Sequence, residues 1–441
     1  MDTFDMLSDQ RTGIVRSCQR QRLPAHLPQE IACVVAGIAD TTRFCAWPSD
    51  PSATGCAWWD TMAARGAALG EAIERYCGNL VPEGLPRASY RDCVAAGYRA
   101  CAPDEIGLFS SEQYAQPGFP CVPLGEHLPI RWAPGRDMLD GGEILVPASL
   151  VYVTYPRKEG PTGGEPLTNP PITAGIAAGQ SRAQAECAAL EELIERDSVA
   201  VAWMSGAPLQ RVEPPPELAP LLCGPEERLN TTLVAFPNPY DLPVLGALVY
   251  DRQAGFLTLG TACRPSPYDA MLKAVAEAVQ LHMVAATLDD PHSPLMRAAQ
   301  APRGPLKPWR ADRAYRRSYR ADWRDVTDLL CQLQLALDPT MQGLVLDQLK
   351  PAVRITLNEL SGALERSREL YLDRLCHLGV RPISVDVTTP DIQALGLAVV
   401  RVVAPGLCAN MPAAFPLLGA QRLRAALRDD PYTRRCPLPY A

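Results

Sequence analysis

Two stretches of the chain carry the pattern E-x-x-E-R inside apolar helical repeats, and this pattern constrains the fold more than any other feature. The residues are Glu71, Glu74 and Arg75 in the first stretch, and Glu192, Glu195 and Arg196 in the second. Carboxylates three positions apart lie on one face of a helix, about one turn from each other. Because their charges repel, two such pairs among Ala, Leu and Ile require a compensating partner, and a divalent cation would supply one.

A third helical run, AMLKAVAEAVQLH, adds Glu277 and Gln280 as further oxygen donors. Hard cations such as magnesium prefer carboxylate oxygens and hold nucleotide phosphates through shared coordination. An exposed helix face with local ion pairs is the alternative interpretation, and it would be preferred for a single copy. Two near-identical copies in apolar surroundings favour one shared site built from several helices, in which the arginines neutralise the carboxylates or bind phosphate.

Other metal and nucleotide sites are excluded by motif. A di-iron carboxylate site requires E-x-x-H partners, and none of the five His residues has that spacing. The 15 Cys residues include no C-x-x-C pair and no Cys/His cluster, which argues against structural zinc and a thioredoxin-type site. The chain also lacks the G-x-x-x-x-G-K-[ST] loop of the common phosphate-binding proteins.

Composition and charge limit the class of protein and the cellular location that we expect. With 441 residues, 47% hydrophobic residues and a net charge of −7, the chain has the character of a globular protein without general affinity for nucleic acid or anionic membranes. Its N-terminus lacks the apolar core of a signal peptide, and no apolar run looks long enough to span a bilayer. We therefore expect a cytoplasmic protein that binds neither nucleic acid nor membrane.

Periodicity predicts an α+β fold in which acidic helices pack on sheets. The predicted helices include one over 63–76, one capped by Ser181, one capped by Ser266 with Pro267 in its first turn, and two over 323–337 and 361–377. The predicted strands cover 31–40, 144–154, 233–236, 243–250, 256–263, 382–387 and 398–403.

Four ordered motifs resemble those of the YcaO family, in its cyclodehydratase branch. GIAAG followed by ALEELIERD resembles the family's G-x-A-A-G and L-x-E-x-x-E-R-D, and ALGEAIERYCGN resembles its first helix motif. AMLKAVAEAVQ resembles the third motif, and DVTTPD with VRVVAPGL resembles the fourth. The resemblance implies a YcaO-type fold with mixed and antiparallel sheets around a nucleotide site. It divides the chain into an N-terminal segment (1–54), an ATP-binding catalytic domain (55–423) and a Pro-rich tail (424–441).

The resemblance also implies ATP and Mg²⁺ as cofactors and assigns site residues. The implied metal ligands are Glu71, Glu74, Glu192 and Glu195. The implied ATP-binding residues are these four with Arg75, Arg196, Glu277, Gln280 and Arg401. Family cyclodehydratases commonly end in P-x-P-x-P, with the terminus reaching the active site. The final residues of this chain match two of these prolines, so the resemblance marks Pro437, Pro439 and Ala441 as catalytic.

The implied reaction closes Cys, Ser or Thr of a ribosomally made precursor peptide onto the preceding amide carbonyl, giving thiazoline or oxazoline rings in natural-product biosynthesis. ATP phosphorylates the amide oxygen so that it can leave. Because little sequence precedes the first motif, we expect leader-peptide binding by a separate, ThiF-like partner protein. A homodimer is a further expectation from the resemblance.

Several positions depart from the family pattern. A Lys, a Ser and a polar position of the family fall on Ala57, Ala67 and Ala174, and an Arg of the third motif falls on His282. The acidic residues are all present. Two alternatives therefore stay open: a relative that forms thioamides or amidines with the same ATP chemistry, and a degenerate copy that only supports an active paralogue.

Overall fold

The computed structural model of the protein describes residues 6–43, 50–155, 165–300, 304–349, 353–360, 364–427 and 436–440. It contains these β-strands: β1 Val15–Gln21, β2 Ile31–Ile38, β3 Ser52–Trp58, β4 Arg87–Ala88, β5 Ile130–Asp137, β6 Glu143–Pro147, β7 Ile176–Gly179, β8 Gln210–Glu213, β9 Leu229–Ala235, β10 Val244–Asp251, β11 Phe256–Cys263, β12 Val353–Thr356, β13 Ile383–Asp386 and β14 Ala398–Val403.

Three long helices dominate the helical part, and the others have ten residues or fewer. The α-helices are α1 Thr61–Asn79, α2 Tyr90–Ala95, α3 Pro103–Ile106, α4 Ser111–Tyr114, α5 Ala148–Val151, α6 Arg182–Ser205, α7 Ala219–Cys223, α8 Pro267–Asp289, α9 Pro294–Ala298, α10 Leu329–Leu335, α11 Pro339–Gln348, α12 Arg368–His377, α13 Pro390–Ala394 and α14 Gln421–Ala426. The long helices α1, α6 and α8 carry the three acidic runs.

The strands form three sheets, and the long helices lie against them. One sheet is antiparallel in the order β1-β2-β3. A second has the order β11-β10-β9-β8-β12 and is antiparallel except where β12 runs parallel to β8. The third has the order β4-β5-β13-β14-β7, with β6 also paired to β5. Helix α1 packs on β2 and β3, α6 on β7 and β14, and α8 on β10 and β11. The predicted α+β fold with acidic helices on mixed and antiparallel sheets is confirmed.

Side-chain caps fix where the three long helices begin. Asp60 accepts hydrogen bonds from the first-turn amides of α1, and Ser181 and Ser266 do the same for α6 and α8. Such caps satisfy backbone donors that have no partner within the helix. Pro267 fits the first turn of α8 because a proline there loses no helical hydrogen bond. The two predicted serine caps are therefore confirmed.

Two glycines let helices approach their sheets closely. A Cβ placed on Gly55 of β3 would lie 2.2 Å from the carbonyl oxygen of Ala64 in α1. A Cβ on Gly260 of β11 would lie 2.2 Å from the carbonyl oxygen of Ala274 in α8. Neither position has room for a side chain, so both helices rest on the sheet backbone. This contact fixes the distance of the two helices, and so of their carboxylates, from the sheets.

Some predicted elements differ from the observed ones. The strand predicted over 144–154 ends at Pro147, where a residue without an amide proton cannot extend the ladder, and the short helix α5 follows. The helix predicted over 323–337 begins only at Leu329, because Trp323 has a positive φ of 60° and Asp328 caps the helix. The helix predicted over 361–377 begins at Arg368 after a Ser367 cap; residues 361–363 lie outside the described residues.

One helix of the described chain, α8, is long and apolar enough to cross a membrane by length and composition. The expectation that the sequence contains no such run was therefore wrong in this respect. The helix packs on β10 and β11, and 56% of its most apolar stretch is buried inside the protein. The core helices of globular domains share this character.

The predicted segment boundaries fall inside elements of secondary structure. The boundary between residues 54 and 55 lies within β3, and the one between 423 and 424 lies within α14. The first segment contributes β1 and β2 to the sheet on which α1 packs. The division of the chain into three parts stays a prediction.

Candidate functional site

A cavity of about 520 Å³ opens where α1, α6 and α8 meet β3 and β7. Eight of the nine residues that the sequence assigns to nucleotide binding line it: Glu71, Glu74, Arg75, Glu192, Glu195, Arg196, Glu277 and Gln280. We call this space the carboxylate cavity. Three helices that are distant in sequence thus present their acidic faces to one volume, which the sequence pattern could suggest but not establish.

The carboxylates of α1 are held by backbone amides of two different strands. Glu71 accepts a hydrogen bond from the amide of Thr54 in β3 at 2.9 Å. Glu74 accepts one from the amide of Ala178 in β7 at 2.8 Å. The Arg75 guanidinium lies 3.1 Å from the other oxygen of Glu71. Each glutamate therefore has one oxygen fixed by a backbone amide, and the second oxygen of Glu71 is also paired with Arg75.

Helix α6 repeats this arrangement. Glu192 accepts a hydrogen bond from the amide of Gly175 at 2.9 Å. Glu195 is buried and accepts hydrogen bonds from the hydroxyl of Thr261 at 2.7 Å and the amide of Cys263 at 3.2 Å, both in β11. Arg196 approaches both carboxylates, at 3.5 and 3.8 Å. The second acidic pair is thus anchored between two sheets, as the first is.

Helix α8 contributes a carboxylate with a cation beside it. The Lys273 ammonium lies 2.6 Å from one oxygen of Glu277. The hydroxyl of Tyr440 donates to the other oxygen at 3.1 Å, and the Arg196 guanidinium stacks over the Tyr440 ring at 4.5 Å from its centroid. Gln332 donates to the Tyr440 carbonyl at 3.2 Å and so fixes the backbone there. The Tyr440 side chain thereby joins two of the acidic helices.

The electrostatics of the cavity show an excess of buried negative charge. Burial raises the pKa of Glu74 to about 8, and the neighbouring carboxylates Glu71 and Glu192 add to the rise. Burial likewise raises the pKa of Glu195 to about 7, with Glu277 adding and Arg196 opposing. A bound cation would favour the ionised carboxylates and lower both pKa values.

Glu277 behaves in the opposite way. Burial alone would raise its pKa, but Lys273, Arg196 and the hydrogen bond from Tyr440 outweigh burial and lower it. This carboxylate is therefore ionised across the physiological range. The cavity thus combines one permanently charged glutamate with two whose protonation depends on what is bound.

The cavity also contains polar residues that were not identified from the sequence, among them Thr54, Arg264, Lys273, Asn410 and Tyr440. Lys273 had a usable signal, because it precedes Glu277 by one helical turn on the same face. Arg264 follows β11 and lies 3.1 Å from buried Glu191. The other three contribute a backbone amide or come from irregular segments, and no helical period marks them.

Arg401 is the one predicted nucleotide contact that does not line the carboxylate cavity. It is buried in β14, and its guanidinium donates to the carbonyl oxygens of Thr173 and Ile172 at 3.0 and 2.9 Å. Burial lowers its pKa to about 10. In this position the side chain holds the segment that leads into β7, so a direct phosphate contact stays a prediction.

The predicted catalytic prolines lie beside the cavity. Pro437 and Pro439 are buried, and Pro437 lines a neighbouring apolar groove. The indole of Trp203 donates to the carbonyl of Cys436 at 2.8 Å and ties this segment to α6. Ala441 lies outside the described residues. The catalytic assignment of these three residues stays a prediction.

The donor set fits a magnesium-bound nucleotide. Magnesium usually binds proteins through one or two carboxylates and completes its coordination with water and substrate phosphates. The carboxylate cavity offers hard oxygen donors around a volume within the range of small-ligand sites. Arg75, Arg196, Arg264 and Lys273 also line it and supply the positive charge that phosphates require.

Comparison with known proteins identifies relatives of this chain. The sequence model of a family described as YcaO cyclodehydratase, ATP- and Mg²⁺-binding, matches residues 60–408, which is well over half of the chain. A curated relative is an uncharacterised protein in the tfuA 3′ region of Rhizobium leguminosarum bv. trifolii. It is 25% identical over 386 residues, which cover 82% of this chain and 78% of that protein.

Solved structures share the fold. A heterocyclase in complex with substrate and cofactor matches 93% of this chain with a TM-score of 0.65 and 20% identity. The chain spans about half of that heterocyclase, 53% of its length. YcaO from Methanopyrus kandleri, bound with AMPPCP and Mg²⁺, matches with a TM-score of 0.59 and 18% identity, covering 91% of each chain. The E. coli microcin synthetase McbBCD complex matches with a TM-score of 0.57 and 12% identity over 91% of this chain and 90% of its own.

Proposed function

This chain belongs to the YcaO family, and from that premise we propose that it is an ATP-dependent peptide cyclodehydratase that forms azolines. Its substrates would be Cys, Ser or Thr residues of a ribosomally synthesised precursor peptide. The observation that carries the proposal is the carboxylate cavity, in which glutamates of three helices and four cations surround one volume.

ATP and Mg²⁺ are the cofactors of the chain. In the proposed arrangement Glu71, Glu74, Glu192 and Glu195 would hold the metal through lone pairs that their hydrogen bonds leave free. The metal, when bound, neutralises charge on the phosphates and on the group being transferred. Arg75, Arg196 and Lys273 lie where they would bind phosphate oxygens.

In the proposed reaction the side-chain sulfur or oxygen of the substrate residue attacks the preceding carbonyl carbon, and its own proton is lost to solvent. The former amide oxygen receives the terminal phosphoryl group of ATP, and ADP is released. The carbon–oxygen bond then breaks, phosphate leaves, and the amide nitrogen loses its proton as the carbon–nitrogen double bond forms. The products are an azoline, ADP and phosphate. The residues of the cavity hold and orient the phosphates, so a covalent enzyme nucleophile is not required.

A groove beside the carboxylate cavity favours the proposal that the substrate is a peptide. It is apolar, and Trp203, Met204, Trp323 and Leu417 are among its lining residues. Asn410 lines both the groove and the carboxylate cavity, and its side-chain nitrogen is buried with no hydrogen-bond partner among the described residues. A substrate carbonyl at this junction would accept that hydrogen bond and lie next to the phosphates.

We also propose a partner protein and a cytoplasmic location. One solved relative is the multi-protein McbBCD complex, and another has about twice the length of this chain, which fits a leader-binding function supplied by additional protein. In the described part of the chain the cysteines are free, including Cys33 and Cys56, whose sulfurs lie 3.1 Å apart. Free thiols in such number suit a reducing compartment.

The test is in vitro modification of a candidate precursor peptide that contains Cys, Ser or Thr, in the presence of a peptide-docking partner, ATP and Mg²⁺. We expect a mass decrease of one water per ring, together with ADP and phosphate. If the peptide carries a heavy-oxygen label in the reacting amide, the label should appear in the released phosphate.

Two outcomes would contradict the proposal. Exchange of oxygen for sulfur in the peptide would assign the chain to the thioamide-forming relatives. ATP hydrolysis that leaves the heavy oxygen in the peptide would show that the amide oxygen is not the phosphoryl acceptor.

A further inference from the structure

A second cluster of metal-ligating atoms lies outside the carboxylate cavity. The Nε2 atoms of His26 and His282 are 3.4 Å apart. The Oδ2 atom of Asp251 lies 3.4 Å from Nε2 of His26 and 3.5 Å from Nε2 of His282. The three atoms therefore form a nearly equilateral triangle. None of the three residues lines the carboxylate cavity.

The size of this triangle matches a tetrahedral metal centre. Zinc–nitrogen and zinc–oxygen bonds are about 2.0–2.1 Å, so two ligands of a tetrahedral zinc lie about 3.3–3.4 Å apart. The observed separations agree with this value along all three edges. An ion placed over the triangle would be bonded to all three atoms and would keep a fourth position for water.

The chemistry of the three atoms suits a positive centre between them. Asp251 is fully buried and His282 is 2% exposed. Nδ1 of the His282 ring is buried and has no hydrogen-bond partner among the described residues. A tautomer with the proton on Nδ1 directs a lone pair of Nε2 towards the lone pairs of Asp251. A cation resolves this opposition of acceptors, and neutral imidazole with carboxylate is the donor set of zinc and its neighbours in the first transition row.

We propose that His26, Asp251 and His282 form a second metal site, which binds one Zn²⁺-like divalent transition-metal ion. The ion joins three distant parts of the fold: the turn before β2, the end of β10 and helix α8. Helix α8 also carries Glu277 and Gln280 of the carboxylate cavity. The metal therefore holds in place the helix on which part of the nucleotide site depends.

The groups around Asp251 set the affinity of the proposed site for its metal ion. Its Oδ1 atom accepts hydrogen bonds from the amides of Gln253 and Ala254 at 2.9 and 2.8 Å, which orient the carboxylate. The Arg228 guanidinium donates to Oδ2 at 2.7 Å and so shares the ligand atom with the proposed ion. Its charge weakens metal binding, and Arg228→Gln is expected to tighten it by about tenfold, as for removal of one nearby charge.

The test uses the full chain with ADP and excess Mg²⁺ present, so that the carboxylate cavity is occupied. Co²⁺ and Zn²⁺ are titrated, with visible absorption reporting the coordination of Co²⁺ and thermal unfolding reporting Zn²⁺. We expect one equivalent of Co²⁺ with the intense visible bands of a four-coordinate nitrogen–oxygen site. Zn²⁺ at about a hundredfold excess over its Kd should raise Tm by about 3 °C for a chain of this length.

Single-histidine variants distinguish metal binding at this site from metal binding elsewhere in the chain. His26→Ala, at the more exposed member, should abolish the Co²⁺ bands and the Zn²⁺ stabilisation, whereas His292→Ala, at an exposed histidine, should leave both unchanged. His282→Asn serves as a second variant with the same expected loss. Three results would overturn the proposal: no stoichiometric binding, equal binding by the His26→Ala protein, or a thiolate charge-transfer band, which would place the ion on cysteine.

Discussion

Replacement of Glu195 by Gln should stabilise the nucleotide-free protein and remove its response to Mg²⁺ and nucleotide. Glu195 is 4% exposed and carries a pKa of about 7, chiefly because of burial. Glutamine has the same shape, and it can accept from the Cys263 amide and donate to the Thr261 hydroxyl. The substitution therefore removes the ionisable group and keeps both contacts.

The size of the effect follows from the raised pKa. A pKa of about 7 against an ordinary 4.5 corresponds to a cost of about 3 kcal/mol for ionisation in the folded protein, at about 1.4 kcal/mol per pH unit. Relaxation around the charge reduces this to about 2 kcal/mol. Unfolding of 441 residues has an entropy of about 0.9 kcal/mol/K, so Tm should rise by about 2 °C.

The difference in Tm between Glu195→Gln and wild type depends on pH. Because the pKa of Glu195 is higher in the folded than in the unfolded state, the folded state binds the extra proton between pH 4.5 and 7. Wild-type stability therefore falls as pH rises through this window, while the variant lacks this fall. The difference in Tm should be near zero at pH 4.5 and reach its full value by pH 8.

Calorimetry across this pH range is the assay, and Glu186→Gln is the matched control. Glu186 is buried on the same helix but is paired with Arg182 and Arg368 at 2.8 and 2.9 Å, and these partners outweigh burial and lower its pKa. Its substitution should lower Tm at neutral pH. The reasoning is refuted if Glu195→Gln lowers Tm at pH 8, or if the difference from wild type does not change with pH.

Three further predictions follow from the same contacts. Nucleotide affinity in the presence of Mg²⁺ should rise by up to about tenfold per pH unit below pH 8 and level off above it, because binding displaces the proton of Glu74, whose pKa is about 8. In calorimetric titrations the affinity of Glu74→Gln should not change with pH, and a wild-type affinity that does not change with pH would contradict this prediction. Tyr440→Phe removes the 3.1 Å hydrogen bond to Glu277 and should lower kcat/KM for ATP about fivefold, as for loss of about 1 kcal/mol. An unchanged kcat/KM would show that this hydrogen bond does not position helix α8. Gly260→Ala introduces a Cβ 2.2 Å from backbone and should destabilise the fold by about 2 kcal/mol or more in denaturant unfolding, whereas Gly343→Ala, with open space around it, should not.

The sequence predicts the helices of the site well because their information is local. The caps at Ser181 and Ser266 and the spacing of the glutamates fall within one or two helical turns, and eight of the nine predicted nucleotide contacts line one cavity. The family resemblance then added the expectation that the ligand shared by these helices is a nucleotide with its metal.

The parts that sequence analysis missed depend on contacts between distant residues. Tyr440 reaches Glu277 from a segment without periodicity, and Arg401 turns towards backbone carbonyls although its motif suggests a phosphate contact. The cluster of His26 and His282 spans residues 256 positions apart. A search for closely spaced Cys and His residues could not find it, because the two residues come from the turn before β2 and from α8, which only the tertiary fold brings together.

The central claim is that the paired carboxylates bind Mg²⁺ and ATP for turnover, and peptide-dependent ATP hydrolysis tests it most directly. Glu192→Gln keeps the acceptor for the Gly175 amide and removes one charge from the cavity. We expect wild type and the exposed-site control Glu112→Gln to hydrolyse ATP when precursor and partner are present. For Glu192→Gln we expect a loss of at least about a hundredfold in kcat, the scale of removing a preorganised electrostatic contact. Wild-type turnover by a folded Glu192→Gln protein would show that the paired carboxylates do not support turnover, and absence of turnover by all three proteins would favour a scaffold.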